Sequence, residues 1–126
     1  MLKDCRCGAT IPVADMDRAM AWYQDKLGLE AADKTPAGAE LRCGDGTAFQ
    51  LYPSQFAGSG QQTVMGWEAA DFDAEMKQLR DNGVTFEEYD MPGLKTENGV
   101  AMLDGARGCW FKDSEGNILA LGERPS

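Results

Sequence analysis

The sequence predicts an α+β fold built from two halves with the same grammar, each a strand, a capped helix and up to three further strands. Three observations support this. An apolar run followed by helical periodicity occurs twice. The helix starts at Asp15 and Asp71 lie 56 residues apart, and the glycine stops at Gly28 and Gly83 lie 55 apart. After each stop the period changes from helical to alternating, with turn residues between short segments. A chain of 126 residues fits one domain. Its halves, about residues 8–53 and 62–122, gain a continuous core by packing together, because a unit of ~60 residues buries its apolar face poorly alone.

In chain order, Ala9 to Val13 is an apolar strand and Asp15 an N-cap. Met16, Ala19, Met20, Tyr23 and Leu27 form one helix face, ended by Gly28. A strand fits within Leu29 to Lys34. Glu40 to Cys43 and Thr47 to Tyr52 flank the tight turn Gly44-Asp45-Gly46. Pro53 to Gln62, with Gly58-Ser59-Gly60, is the joint between the halves. The second half repeats the order: strand Thr63 to Ala69, cap Asp71, helix face Phe72, Met76 and Leu79, and stop Asn82-Gly83. Strands are then expected at Val84 to Tyr89, Val100 to Asp104, Gly108 to Asp113 and Asn117 to Gly122, parted by Met91-Pro92-Gly93, Gly105 and Ser114-Glu115-Gly116.

Composition narrows the chemistry. Against 12 basic residues stand 21 acidic ones, a net charge of −9, and there is no histidine. Ser-His-Asp and Cys-His catalysis and His-bearing zinc sites are therefore excluded, and acid–base work falls to carboxylates, Tyr, Lys or Cys. The acidic balance argues against nucleic acid and anionic membrane surfaces and favours neutral or cationic ligands. The segment from Met1 to Gly8 lacks the apolar run of a signal peptide, and a cytoplasmic location is expected. The 4 cysteines then read as free thiols, since Cys5 and Cys7 find only the isolated Cys43 and Cys109 as partners.

Two stretches make a family recognisable. Thr10-Ile11-Pro12-Val13-Ala14-Asp15-Met16-Asp17-Arg18-Ala19, with Trp22-Tyr23 and Lys26-Leu27-Gly28-Leu29, resembles the opening of the vicinal oxygen chelate superfamily, the glyoxalase, bleomycin-resistance and extradiol-dioxygenase group. Phe111-Lys112-Asp113-Ser114-Glu115-Gly116-Asn117 resembles that group's F-x-D-P-x-G-N ending, with Ser114 where proline is usual. The resemblance implies two tandem βαβββ modules forming a curled mixed sheet around a cavity, commonly in a homodimer. It also places four metal-ligand positions, near Gly8, on Gln50, at Thr63 or Val64, and on Ala120. Only Gln50 has a side chain able to ligate. One neutral amide does not hold a catalytic divalent ion, so no metal and no cofactor are expected.

Alternation assigns the cavity lining. Met65, Trp67 and Ala69 are expected to meet a helix and Val64, Gly66 and Glu68 to face inward. Phe49 and Leu51 pack beneath the first helix, leaving Ala48, Gln50 and Tyr52 inside, and Phe111 and Leu119 pack outward, leaving Trp110, Lys112 and Ile118 inside. Candidate ligand-binding residues are Gln50, Tyr52, Glu68 and Trp110, joined by Phe56 on the joint and by Tyr89 and Leu94 on the long loop around Pro92-Gly93. The leading expectation is metal-independent binding of a small organic molecule, of sequestration or resistance type. Two alternatives stand beside it: a metal-free isomerase or lyase with Glu68 as base, and a dimeric partner-binding module.

Overall fold

A computed structural model describes residues 1–124 of the chain. Strand β1 (Ala9–Val13) leads into helix α1 (Met16–Leu27), and strands β2 (Ala31–Thr35), β3 (Gly38–Arg42) and β4 (Ala48–Pro53) complete the first module. The second runs from β5 (Thr63–Ala69) through α2 (Phe72–Asp81) and the two-residue strands β6 (Asp90–Met91) and β7 (Leu94–Lys95) to β8 (Ala101–Leu103), β9 (Ala106–Lys112) and β10 (Ile118–Glu123).

The helix ends obey local chemistry. The Asp15 carboxylate accepts from Arg18 N at 3.0 Å, and that of Asp71 from Ala74 N at 3.1 Å, each satisfying an amide that the first turn leaves without a partner. Gly28 takes a left-handed φ of 72°, and Leu29 N reaches back to Tyr23 O at 3.1 Å, closing α1 with a Schellman-type bond. Alternation decides which strand faces are covered. Phe49, Leu51, Phe111 and Leu119 are buried, while Gln50, Tyr52, Val64, Gly66 and Glu68 are exposed.

The four-stranded sheets have one topology used twice, β1-β4-β3-β2 and β5-β10-β9-β8, each with its first strand parallel to its last and the remaining pairs antiparallel. This corrects the expectation of a curled mixed sheet around a cavity. Strands β1 and β5 are outer strands of separate sheets, and no sheet is closed or strongly curled. The modules meet through side chains instead. Tyr23 packs on Phe49 with ring centroids 5.7 Å apart, Phe49 meets Trp67 edge-on at 6.0 Å, and Trp67 stacks on Phe111 at 6.4 Å.

A second correction concerns Val84 to Tyr89, where a strand was expected. The segment makes a single bridge, Phe86 to Phe111, and its later polar groups bond elsewhere. Tyr89 N donates to the Thr96 hydroxyl at 2.8 Å, and the Glu88 carboxylate accepts from Gly99 N at 2.6 Å. Side chains thus take the place of a ladder. The chain then turns at Pro92-Gly93, with Gly93 at φ 81°, so that Asp90 pairs Lys95 and Met91 pairs Leu94.

The turn between β9 and β10 locks the modules together. Glu115, whose side chain is 0 % exposed, accepts from Ala14 N at 3.0 Å, Asp15 N at 2.9 Å, and Arg18 Nε and Nη2 at 2.8 Å each. The Tyr23 hydroxyl donates to Asp113 Oδ2 at 2.7 Å, and Asn117 Nδ2 donates to Pro12 O at 2.8 Å. Gly58 of the joint approaches this turn so closely that a Cβ there would collide with the Glu115 carbonyl, and its left-handed φ of 68° also favours glycine.

Arg18 hydrogen bonding, helped by Ser114 and the Asp15 amide, holds the Glu115 carboxyl down at about 2 from an ordinary 4.5. A folded pKa below the unfolded one contributes stability above the unfolded value and loses it as pH falls through the folded one. Glu115→Gln is therefore expected to cost ~2 kcal/mol near neutral pH, the scale of a charge-assisted hydrogen-bond set. Urea unfolding at stepped pH should show the gap between the native chain and the variant narrowing from pH 4.5 toward 2. A gap independent of pH would contradict the assignment.

Candidate functional site

Each sheet buries one face against the helices and core and leaves part of the other open. On the first sheet, Thr10, Gln50 and Glu40 form one cross-strand row, and Pro12 pairs Tyr52 in the next. Gln50 and Tyr52 are both exposed, two residues apart on the same face of β4. Beside them lies a cavity of about 740 Å³, lined by Arg6, Cys7, Thr10, Glu40, Thr47 and Gln50 among others. Its acidic charge is already matched, because Arg42 bonds Glu40 at 2.7 Å and Asp33 at 3.1 Å. This wall offers an amide, hydroxyls and a thiol, with the Arg6 guanidinium also lining it.

On the second sheet the open face has a floor of small residues. Gly66, Ala120 and Trp110 make one row, and Glu68, Gly122 and Gly108 the next. A Cβ on Gly108 would meet Trp110 Cη2 at 3.6 Å, so the indole extends over the glycine. Tyr89 stands edge-on to Trp110, with centroids 5.8 Å apart and planes 73° apart. Burial, helped by Glu87, raises the pKa of the Tyr89 phenol, keeping it a neutral donor. Lys112 approaches Glu87 at 3.5 Å, which offsets charge at this end of the face.

The candidate residues are thus distributed over five places. Gln50 and Tyr52 share the first sheet's open face, and Tyr89 and Trp110 touch on the second. Leu94 is half-buried on β7, and Phe56 on the joint is 67 % exposed. Glu68 is exposed on β5 and borders two cavities that also touch Trp67. Thr10, Glu40 and Cys7 were not among the expected residues; alternation in β1 and β3 marks the first two, whereas Cys7 precedes any periodic segment.

The family-implied metal positions do not assemble a donor set. Gly8 and Gln50 border the same cavity, Thr63 begins β5 and Ala120 lies in mid-β10. Among these only Gln50 and the Thr63 hydroxyl carry side-chain oxygens, both neutral, and among the described residues no group of three or more His, Cys, Asp or Glu side chains converges. These residues do not fit a catalytic divalent ion. Among the described residues, no helix is long and apolar enough to cross a membrane.

The thiols differ sharply in access. Cys5 and Cys7 are exposed, Cys43 is half-buried with the Trp67 indole donating to it at 3.4 Å, and Cys109 is buried with its pKa pushed up to about 12 by burial. Titration with an aromatic disulfide reagent at pH 8 should show rapid modification at Cys5 and Cys7, slower modification at Cys43, and reaction of Cys109 only on unfolding. Peptide mapping after timed quenching checks the order, and early labelling of Cys109 would contradict the packing.

The glyoxalase/bleomycin resistance protein/dioxygenase superfamily model matches residues 8–121 of this chain. A search of curated proteins finds no match. Among solved structures, a bleomycin-binding protein complexed with bleomycin aligns at 16% identity, covering 95% of this chain and 98% of that one, with a TM-score of 0.73. A glyoxalase/bleomycin resistance protein/dioxygenase from Alicyclobacillus acidocaldarius aligns at 18% identity over 98% and 93% of the two chains, TM-score 0.72. Lactoylglutathione lyase from Agrobacterium tumefaciens aligns at 18% identity over 95% and 93%, TM-score 0.70. Likeness at these identities establishes the fold and leaves activity to the site itself.

Proposed function

Because the chain belongs to the glyoxalase/bleomycin resistance protein/dioxygenase superfamily, we propose that it binds a small organic molecule without a metal, holding it rather than transforming it. The observation that carries this reading is the pairing of a depleted donor set with a retained aromatic wall. Tyr89 and Trp110 meet edge-on beside the small residues Gly66 and Ala120, where the two rings offer an apolar surface to a flat body. Gln50, which accompanies them on the first sheet, supplies both a hydrogen-bond donor and an acceptor. The net charge of −9 favours a cationic ligand over an anionic one.

A homodimer belongs to the same proposal. Gln50 and Tyr52 sit on one sheet and Tyr89 and Trp110 on the other, and each group faces outward from its own module. A second copy closing on these faces would give both groups a ligand in common and exclude water from it. The unbridged cysteines support a reducing compartment, and we place the protein in the cytoplasm.

Native mass spectrometry of the gently purified protein tests subunit count and retained ligand in one spectrum; a dimer carrying an organic adduct and no metal is the expected result. A parallel calorimetric titration uses bleomycin, the ligand of the aligned binding protein, and then compounds matching any adduct mass. Trp110→Ala should weaken binding by roughly tenfold, the worth of one aromatic contact with its buried area. Recovery of a chemically altered ligand, or a stoichiometric divalent ion, would overturn the reading.

A further inference from the structure

The helix-side seam between the modules holds a cavity of about 360 Å³ that has only Glu68 in common with the open-face rows described above. Its walls are aromatic and aliphatic: Trp67 and Phe111 stack at 6.4 Å with planes 12° apart, and Leu29 and Leu79 also line it. Two carboxylates, Glu68 and Glu75, border the same space, and neither makes an ion pair among the described residues, whereas Glu40, Glu87, Glu115 and Glu123 all do. No lysine or arginine lines it. Arg124, whose N donates to Ala69 O at 2.9 Å, borders the adjoining cavity together with Trp67 and Glu68.

We infer that this seam is a second binding site, for a small organic ammonium ion with an apolar body. The apolar body packs along Trp67, Leu27 and Leu29, which are half-buried in the lining, and the ammonium lies between Glu68 and Glu75. The chemistry selects this class on three counts. The carboxylates accept hydrogen bonds and cannot donate them, so an ammonium satisfies both at once. The flanking indole presents the electron-rich face that cations prefer. The volume lies at the small end of ligand pockets and admits a compact amine rather than a large drug. An organic anion would meet two negative charges with no positive one in the lining.

The site differs from the open-face reading because its apolar wall lies on the other side of β5, with Glu68 the one residue in common. Met65, Trp67 and Ala69 face the core and seam, while Val64, Gly66 and Glu68 start from the opposite face. Glu68 reaches this cavity from the strand end, and Glu75 comes from the first turn of α2. The site therefore forms only when the two modules are packed together, since Leu29 comes from the first and Glu75 from the second.

The Trp67 indole N–H, which donates to Cys43 Sγ at 3.4 Å, gives a local reporter. Titrating the 15N-labelled full chain with phenethylammonium chloride should shift this indole signal saturably, with the Trp110 indole signal as an internal control for the open face. 2-Phenylethanol, which keeps the apolar body and loses the charge, should bind at least about fivefold more weakly, the difference expected for two exposed charge contacts. Glu75→Gln should cost a few-fold for the ammonium and nothing for the alcohol, and Ala70→Phe, at an exposed lining position, should abolish the Trp67 response to both. Equal affinity for ammonium and alcohol would overturn the inference. So would a shift of Trp110 without Trp67, which would assign the amine to the open sheet face. A Trp67 shift together with a failed bleomycin titration would leave this site standing while refuting that ligand for the other.

Discussion

The turn between β9 and β10 holds the structure in its present form. Asp113 Oδ1 accepts from Glu115 N at 2.8 Å and Asn117 N at 2.9 Å, which shapes the turn, while Oδ2 accepts from the Tyr23 hydroxyl. Asn117 extends the same set outward, giving a proton to Pro12 O and accepting one from Gly58 N at 3.2 Å. These contacts span roughly a hundred residues of chain and tie β1, α1 and the joint to one loop of the other module. Burial, reinforced by Asp113, raises the Tyr23 pKa strongly, so the phenol remains a donor at every accessible pH. A buried polar set that is fully satisfied specifies one arrangement, and removing a member leaves the others unpaired at a cost of about 1–3 kcal/mol each. Among the described residues, no buried side-chain nitrogen or oxygen lacks a partner.

That lock decides how the sheets face. Since the modules are held by the loop and by the Tyr23, Phe49, Trp67 and Phe111 stack, the sheet edges do not need to pair. Strands β1 and β5 stay at the outer edges of separate sheets, and both open faces stay available. The polar and aromatic halves of the proposed site then lie on different sheets, which is why a second copy enters the functional reading. The same packing leaves an unfilled seam on the helix side, where Trp67 stacks against Phe111 and two carboxylates lie at the rim.

The periodic parts of the fold were legible in the sequence. Asp15 and Asp71 cap the helices as the spacing requires, and alternation in β4 and β5 separates covered from open positions, whereas Gly108 with Cys109 in β9 and Ile118 with Leu119 in β10 are buried as neighbours, so Ile118 does not lie open as alternation predicted. Three things were not legible. Val84 to Tyr89 alternates like a strand, yet the Thr96 hydroxyl and the Glu88 carboxylate compete for backbone partners, and such competition leaves no trace in a hydrophobic period. The separation of the sheets depends on contacts a hundred residues apart. The residues that carry the family resemblance near the end, Asp113 to Asn117, form the interior lock, and only their hydrogen bonds reveal it. For the site, Gln50 and Tyr52 shared a face by alternation alone, whereas the contact of Tyr89 with Trp110 needed the loop geometry.

A further consequence follows from where the lock sits. Its members, Glu115, Asp113, Asn117, Tyr23 and Arg18, share no residue with the open-face candidates Gln50, Tyr52, Tyr89 and Trp110. Substituting an open-face side chain therefore removes no satisfied buried polar group, and surface changes of that kind usually alter stability by under about 0.5 kcal/mol. In the proposed reading, stability and recognition therefore fall to different residues, so the open faces can vary without loss of the core. The missing histidines fit this division: nothing in the lock requires an imidazole, and the open faces carry amides, hydroxyls, rings and a few charged groups such as Glu68 and Lys112. The Asp113 to Asn117 ending fastens the two modules together, and in the proposed reading the ligand is chosen by the open faces instead.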